Sequence, residues 1–185
     1  MRVRLLAAVA GAALLATSGC TSDEAPEPAP LPTESSSPSD SGSPSPAAPT
    51  LPPEAEGTSP AAAKAFALHY VDLVNYASNT GDVSPLKRMR QRRCDVCRGI
   101  ESGIATVYKD GGRLEGEGWT VTSAQVLPVA GQGLVVALTI RIASERRYES
   151  GNSEPTVSKA TKGLLDVHME PWHGTWTVFR LVPNR

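Results

Sequence analysis

The hydrophobic residues of this chain recur with a helical period before Gly118 and with a strand period after it. Before Gly118, apolar residues three and four positions apart mark the buried face of a long first helix, namely Phe66, Tyr70, Leu73 and Ala77. After it, apolar and other residues alternate, most clearly at Leu134, Val136, Leu138, Ile140 and Ile142. A run of helices followed by a run of strands predicts an α+β domain with an antiparallel sheet.

Capping and turn residues give the expected boundaries of these elements. The first helix opens near residue 61, behind Ser59 and Pro60, and stops within residues 79–82. A short second helix follows Pro85, and a third covers residues 95–110. Four long strands are predicted at residues 119–127, 134–148, 156–170 and 175–182. The strands would form a curved, cone-like four-stranded antiparallel sheet over the N-terminal helices, with a hollow between the two layers.

The beginning of the chain has the pattern of an export signal. Arg2 and Arg4 precede an apolar run over residues 5–16, and small residues lead to Cys20. A cysteine directly after the cleavage site resembles the lipobox of bacterial lipoproteins, although Thr17 stands where that motif usually has leucine. The resemblance implies that residues 1–19 are a removed signal peptide and that the Cys20 thiol carries a lipid. An ordinary secretory signal with an incidental cysteine is the alternative.

Residues 20–57 are expected to form a disordered tether after the lipidated cysteine. Of the 16 prolines, 11 lie between residues 21 and 60, and residues 21–57 contain seven acidic side chains and neither Lys nor Arg. Such a segment buries too little to offset its ordering entropy. Residues 58–185 have the size of one domain and carry 16 basic and 12 acidic side chains, a balance of +4. The predicted location is the extracytoplasmic face of the cell membrane, with lipid as the anchor.

Three short motifs resemble those of a known family. They are YVDLVNY at residues 70–76, CDVC at residues 94–97, and GGR at residues 111–113 followed by GW at residues 118–119. Residues 66–182 thereby resemble an uncharacterised actinobacterial lipoprotein family, and the order of elements resembles the nuclear-transport-factor-2-like (cystatin-like cone) superfold. The resemblance implies the cone fold and a lipoprotein. It implies no activity, because the superfold hosts enzymes, ligand carriers and inert scaffolds.

Cys94 and Cys97 are predicted to form a disulfide, because an exported protein lies where disulfides persist. At positions i and i+3 in the first turn of a helix, the two sulfurs can meet without backbone rearrangement. A structural staple is the favoured interpretation. A redox-active pair is the alternative, since a helix N-terminus and nearby arginines lower a thiol pKa. No metal site is expected, because His69, His168 and His173 show no paired spacing.

A basic run extends from the second helix through the following loop to the start of the third helix, and Asp95 is its one acidic residue. Its members are Lys87, Arg88, Arg90, Arg92, Arg93 and Arg98. The run is interpreted as a solvated surface or, alternatively, as a patch that attracts anionic lipid headgroups, an acidic polymer or the acidic tether. Nucleic acid is not expected as a partner, because the chain is predicted to be exported and no aromatic residues are interleaved with the basic ones.

Other residues offer weaker candidate sites. His69, Asp72 and Tyr76 share part of the first helix and could in principle move a proton. A second set alternates on the third strand and either is solvated or lines the hollow: Asp166, His168 and Glu170. The three tryptophans are expected to fill the core or cap the sheet, with ligand stacking as the alternative for one of them: Trp119, Trp172 and Trp176. No hydrolase, metalloprotease, phosphate-loop or dinucleotide motif occurs.

Together these features predict a non-enzymatic, lipid-anchored surface domain that binds a partner or acts as a structural scaffold that spaces or regulates one. The partner is expected to be an envelope protein on the open sheet face or a small apolar molecule in the hollow, and no cofactor is expected. One alternative is an enzyme that uses the cone pocket, with His69, Asp72 and Tyr76 as the first residues to test. Another is a redox protein that uses Cys94 and Cys97.

Overall fold

The fold is described by a computed structural model that covers residues 46–129 and 133–184. The predicted signal peptide and Cys20 lie outside the described residues. The helices come first: a short 3₁₀ turn, η1 (Pro53–Ala55), then α1 (Pro60–Thr80), α2 (Ser84–Met89) and α3 (Asp95–Lys109). No helix in the described part of the chain is long and apolar enough to cross a membrane.

Helix α1 forms where its end signals predict. The Ser59 hydroxyl accepts a hydrogen bond from the Ala62 amide at 3.1 Å, and Pro60 occupies the first helical position. At the other end Gly81 adopts a φ of 78°, and its amide donates to the Ala77 carbonyl. The predicted inner face of α1 is confirmed, because Phe66, Tyr70, Leu73 and Ala77 are all buried.

Seven strands follow and form two antiparallel sheets. Their bounds are β1 (Arg113–Gly116), β2 (Trp119–Pro128), β3 (Leu134–Ile142), β4 (Glu145–Tyr148), β5 (Thr156–Ser158), β6 (Thr161–Trp172) and β7 (Thr175–Asn184). The larger sheet has the order β2-β3-β6-β7, and the smaller one has the order β1-β4-β5. The α+β fold with N-terminal helices on a four-stranded antiparallel sheet is therefore confirmed.

The smaller sheet corrects the predicted strand lengths. The chain leaves the large sheet after Ile142, where the Ala143 amide donates to the Gly118 carbonyl, and β4 then pairs with β1. The predicted strand 134–148 is thus two strands in different sheets. The predicted strand 156–170 is likewise divided into β5 and β6. The last turn is shorter than predicted, because β6 continues to Trp172 and only His173 and Gly174 connect it to β7.

The space between the helices and the large sheet is filled by side chains. Tyr70, Phe66 and Leu73 enter it from α1, and Leu138 and Met169 meet them from the sheet, each with at most 2% of its surface exposed. On β6, Leu165, Val167 and Met169 face this core, so Asp166, His168 and Glu170 lie on the opposite face of the sheet. The predicted hollow is occupied by the core of the domain.

Packing begins before residue 58, within the segment assigned above to the tether. Ala55, at the end of η1, has no exposed surface, and Leu51 packs against the same core. The Ala55 amide closes the turn on the Pro52 carbonyl at 2.9 Å. Apolar side chains at these positions give the end of the Pro-rich segment something to bury, which its composition as a whole does not reveal.

Asn75 joins α1 to the beginning of β2. Its carboxamide accepts from the Trp119 amide at 2.7 Å and donates to the Trp119 carbonyl at 2.9 Å, as a neighbouring strand would. Gly118 adopts a φ of 74°, and a Cβ atom there would collide with the Asn75 carboxamide. The motifs at residues 70–76 and 118–119 thus meet in one contact that fixes where the sheet starts.

Candidate functional site

The basic run covers the end of α2, the α2–α3 connection and the first turn of α3. Five of its side chains are exposed, and we call them the basic surface: Lys87, Arg88, Arg92, Arg93 and Arg98. The backbone of this connection is fixed, because the Gln91 amide donates to the Val178 carbonyl of β7 at 2.8 Å. The connection that carries Arg92 and Arg93 is therefore held against the sheet and is not a free loop.

Arg90 differs from the other members of the run. The sequence interpretation placed it in the basic patch, but the structure shows that its side chain is not exposed. Its guanidinium turns inward and donates to both carboxylate oxygens of Glu101, from Nε at 2.8 Å and from Nη2 at 2.5 Å. The two side chains are only 11% and 4% exposed. The hydrogen-bonded carboxylate of Glu101 raises the pKa of Arg90 above its ordinary value. Arg90 is consequently a structural cation that ties the α2–α3 connection to α3.

The sequence interpretation missed Glu101, although the sequence held a signal. Glu101 lies four residues after Cys97 and three before Ile104, both of which are buried, so it shares their face of α3. An acidic residue on a buried face needs a cationic partner. Several nearby arginines were possible partners for Glu101, and the structure identifies Arg90 as the partner.

The Tyr70 hydroxyl is buried near this ion pair and has no hydrogen-bond partner among the described residues. Burial, together with the negative charge of Glu101, raises the pKa of Tyr70 well above its ordinary value. At neutral pH the phenol therefore keeps its proton, and the Arg90 guanidinium keeps its charge. Neither the Tyr70 phenol nor the Arg90 guanidinium therefore exchanges protons near pH 7.

Glu170 connects the basic surface to the large sheet. Its carboxylate accepts from Arg93 Nη2 at 2.6 Å and from the Gln91 side-chain amide. The Arg93 guanidinium also lies over the Phe179 ring, 4.7 Å from its centroid. Phe179 is the extra residue at a bulge between β6 and β7. The sequence interpretation offered two environments for Glu170, namely solvent or the hollow of the cone. The structure shows neither, because Glu170 lies on the outer face of the sheet and is held by Arg93 and Gln91.

A disulfide joins Cys94 to Cys97, as predicted, at the N-terminus of α3. Their Cα atoms are 5.3 Å apart, and Cys94 Sγ also caps the helix by accepting from the Cys97 amide. Both cysteines are essentially inaccessible to solvent, with 1% and 0% of their surfaces exposed. Burial restricts attack by an external thiolate, which favours the structural interpretation over the redox one.

Replacing Cys94 and Cys97 by alanine together should lower the free energy of unfolding by about 2 kcal/mol, because so short a loop constrains the unfolded chain little. Urea unfolding of the oxidised protein, the reduced protein and the double variant measures this. Reduction should shift the midpoint of the wild type and leave that of the variant unchanged. A reduction potential in the range of dedicated oxidoreductases, roughly −120 to −270 mV, would support the redox alternative instead.

A cleft opens beside the basic surface, with a volume of about 420 Å³. We call it the Trp172 cleft, and it is lined by Arg88, Arg90, Gln91, Arg92, Glu170, Trp172 and Thr177. Trp172 is 56% exposed and lies at the end of β6, so of its two expected roles it does not fill the core. Trp176 does fill the core and donates from its indole to the Ser59 carbonyl at 3.2 Å, whereas Trp119 is partly buried against it.

The candidate acid–base residues of α1 do not form a common centre. His69 is buried, and desolvation lowers its pKa against the opposing charge of Asp72. Asp72 itself is exposed, and the Tyr76 hydroxyl donates to Asp82 at 3.4 Å. On the outer face of the sheet, Asp166 accepts from Asn184 at 2.8 Å. Within the residues that the structure describes, no three potential metal ligands lie close enough together to hold an ion.

Comparison with known proteins identifies a family and a fold. A family model described as "Family of unknown function (DUF6318)" matches residues 38–180. No curated protein shows a significant match. The intermembrane space region of the chloroplast protein ARC6 is similar in structure, with a TM-score of 0.52 and 9% identity over 68% of this chain and 96% of that one. At this identity the similarity concerns the fold alone.

Two further structures match less well. The protein Aln2 from a Streptomyces species has a TM-score of 0.42 and 11% identity over 65% of this chain and 85% of that one. An uncharacterized protein with a cystatin-like fold from Caulobacter vibrioides has a TM-score of 0.42 and 10% identity over 66% and 89% of the two chains. The predicted membership of a family without known function is confirmed by the family match. The actinobacterial and lipoprotein aspects of that prediction remain predictions.

Proposed function

The chain belongs to the family of unknown function DUF6318, and we propose that it is a lipid-anchored, non-catalytic binding module of the cell envelope. In this proposal Cys20 carries the lipid, the Pro-rich segment holds the domain away from the membrane, and the basic surface contacts an acidic component of the envelope. The domain then acts through its surface rather than through an interior pocket.

The observation that carries the proposal is the contrast between the interior and the basic surface. The interior between the helices and the large sheet is filled by side chains such as Tyr70 and Met169. The basic surface, in contrast, presents five exposed cations on the end of α2, the α2–α3 connection and the start of α3. The connection is held by a disulfide, by Glu170 and by the backbone of β7. A cluster of positive charges attracts acidic partners and speeds their association.

The proposal is tested by the retention of the full-length protein on isolated cell envelopes and on a carboxylated matrix at increasing salt. Neutralising Arg88 and Arg92 together (Arg88→Gln, Arg92→Gln) should lower the salt concentration that elutes the protein, because two fixed charges leave the contact. The matched control is Lys64→Gln with Arg141→Gln, which removes two exposed cations elsewhere in the domain. If both pairs of substitutions shifted the eluting salt concentration equally, the effect would depend on net charge alone, which would contradict the proposal.

A further inference from the structure

We propose that the Trp172 cleft is a binding site for an anionic saccharide, that is, a sugar bearing a carboxylate or a phosphate. The inference deepens the proposed function, on which it rests, by assigning a ligand class to one part of the basic surface. Three features of the cleft carry it: a solvent-exposed aromatic ring, two cations that pair with no carboxylate among the described residues, and a carboxylate fixed at its wall.

The first feature is the Trp172 ring. A tryptophan on the surface loses contact with the core, and here the hairpin fixes it in that position. The turn residues His173 and Gly174 have φ values of 49° and 83°, the left-handed geometry of a tight hairpin. The His173 ring lies nearly perpendicular to the indole, with centroids 4.6 Å apart. A flat, partly held indole is a platform on which the C–H face of a sugar ring can stack.

The second feature is the cations of the cleft. Among the described residues, Arg90 and Arg93 are paired with Glu101 and Glu170, respectively. Arg88 and Arg92 line the same cleft and form no ion pair with any described carboxylate. A guanidinium presents its donors in a planar fork that fits a carboxylate or a phosphate. These two side chains are therefore available for the charged group of a ligand.

The third feature favours a hydroxylated anion over a bare one. Glu170 lines the cleft, and its carboxylate is fixed by Arg93 and Gln91. A carboxylate repels a second anion but accepts hydrogen bonds from hydroxyl groups. A ligand that combines one charged group with several hydroxyls satisfies both the arginines and Glu170. The cleft volume of about 420 Å³ is also that of a site for a small ligand.

The test is calorimetric titration of the full-length protein in a non-saccharide detergent. The probes are digalacturonate, glucose 6-phosphate, uncharged galactobiose, inorganic phosphate and phosphatidylglycerol vesicles. We expect the charged sugars to bind, and galactobiose and inorganic phosphate to bind about tenfold more weakly or not at all. Trp172→Ala and the Arg88→Gln, Arg92→Gln double variant should each weaken the binding of charged sugars about tenfold. The Lys64→Gln control should leave it unchanged.

Several results would overturn the inference while the proposed function stands. One is retention on envelopes that depends on Arg88 and Arg92 without any binding of the charged sugars. Another is sugar binding that is insensitive to Trp172→Ala. Equal affinity for inorganic phosphate would reduce the cleft to an anion site, and vesicle binding that requires Trp172 without sugar binding would identify a membrane contact. Circular dichroism of each variant checks folding, which the exposure of all three side chains should preserve.

Discussion

Replacing Glu101 with leucine is expected to lower the free energy of unfolding by about 3–5 kcal/mol, because Arg90 would keep its charge without a buried partner. Both side chains are almost fully buried, and two hydrogen bonds connect them. Arg90 also occupies the one position where the α2–α3 connection forms a bridge to Val178 of β7. The variant should therefore also loosen the basic surface, and urea unfolding with hydrogen exchange of this connection measures both effects.

The matched control removes both charges at once. An Arg90→Met, Glu101→Leu double variant should recover most of the lost stability, since the cost comes from the unpaired buried charge rather than from the loss of an attraction. The exposed pair Asp95 and Arg98, 2.6 Å apart, provides the contrast. Breaking it with Asp95→Ala should cost under about 1 kcal/mol. A Glu101→Leu variant as stable as the wild type would show that Arg90 finds water or another partner.

Replacing Cys20 with serine is expected to move the protein from the membrane fraction to the soluble fraction. In the proposed function the thiol is the nucleophile that accepts the diacylglyceryl group, and a hydroxyl does not take its place. Because two or more acyl chains anchor a protein stably, the wild type should resist extraction with high salt. Cell fractionation with immunoblotting measures the distribution, and mass spectrometry of the wild type should detect the acyl groups on the residue that follows the removed signal.

The control for this experiment is the Cys94→Ser, Cys97→Ser double variant, which removes the two other cysteines and should stay in the membrane fraction. Unchanged membrane association of the Cys20→Ser protein would contradict lipid anchoring. The binding surface would then have to be tested as the source of membrane attachment, with the Arg88→Gln, Arg92→Gln variant. Release of the wild type by high salt would point the same way, because salt screens charges but does not extract acyl chains.

Local signals were sufficient to predict the helices and the large sheet. Ser59, Pro60 and Gly81 delimit α1 by backbone chemistry that acts within a few residues. The alternation from Leu134 to Ile142 matches a strand with one buried face. The smaller sheet was missed because residues 134–148 contain no Gly or Pro at the point where β3 ends, so the pattern alone did not show that Glu145 begins a strand in another sheet.

The candidate site was predictable only in part, because its decisive contacts join residues far apart in the chain. The basic run was visible as composition, but the pairing of Arg90 with Glu101 spans 11 positions and that of Arg93 with Glu170 spans 77. Which arginines remain available depends on those pairings. The exposure of Trp172 likewise follows from the short turn at His173 and Gly174, whereas the nearby Trp176 has the same side chain and is buried.

The burial of Ala55 has a mechanical consequence for the way the domain is held. The chain enters the folded domain through η1, which packs against α1. Residue 58 is therefore not a freely rotating hinge. A force that pulls on the preceding segment would act first on this small apolar contact and only afterwards on the long helix. Proteolytic trimming at residue 57 would likewise remove a piece of the core, uncover α1 at its N-terminal end and leave a weaker fragment.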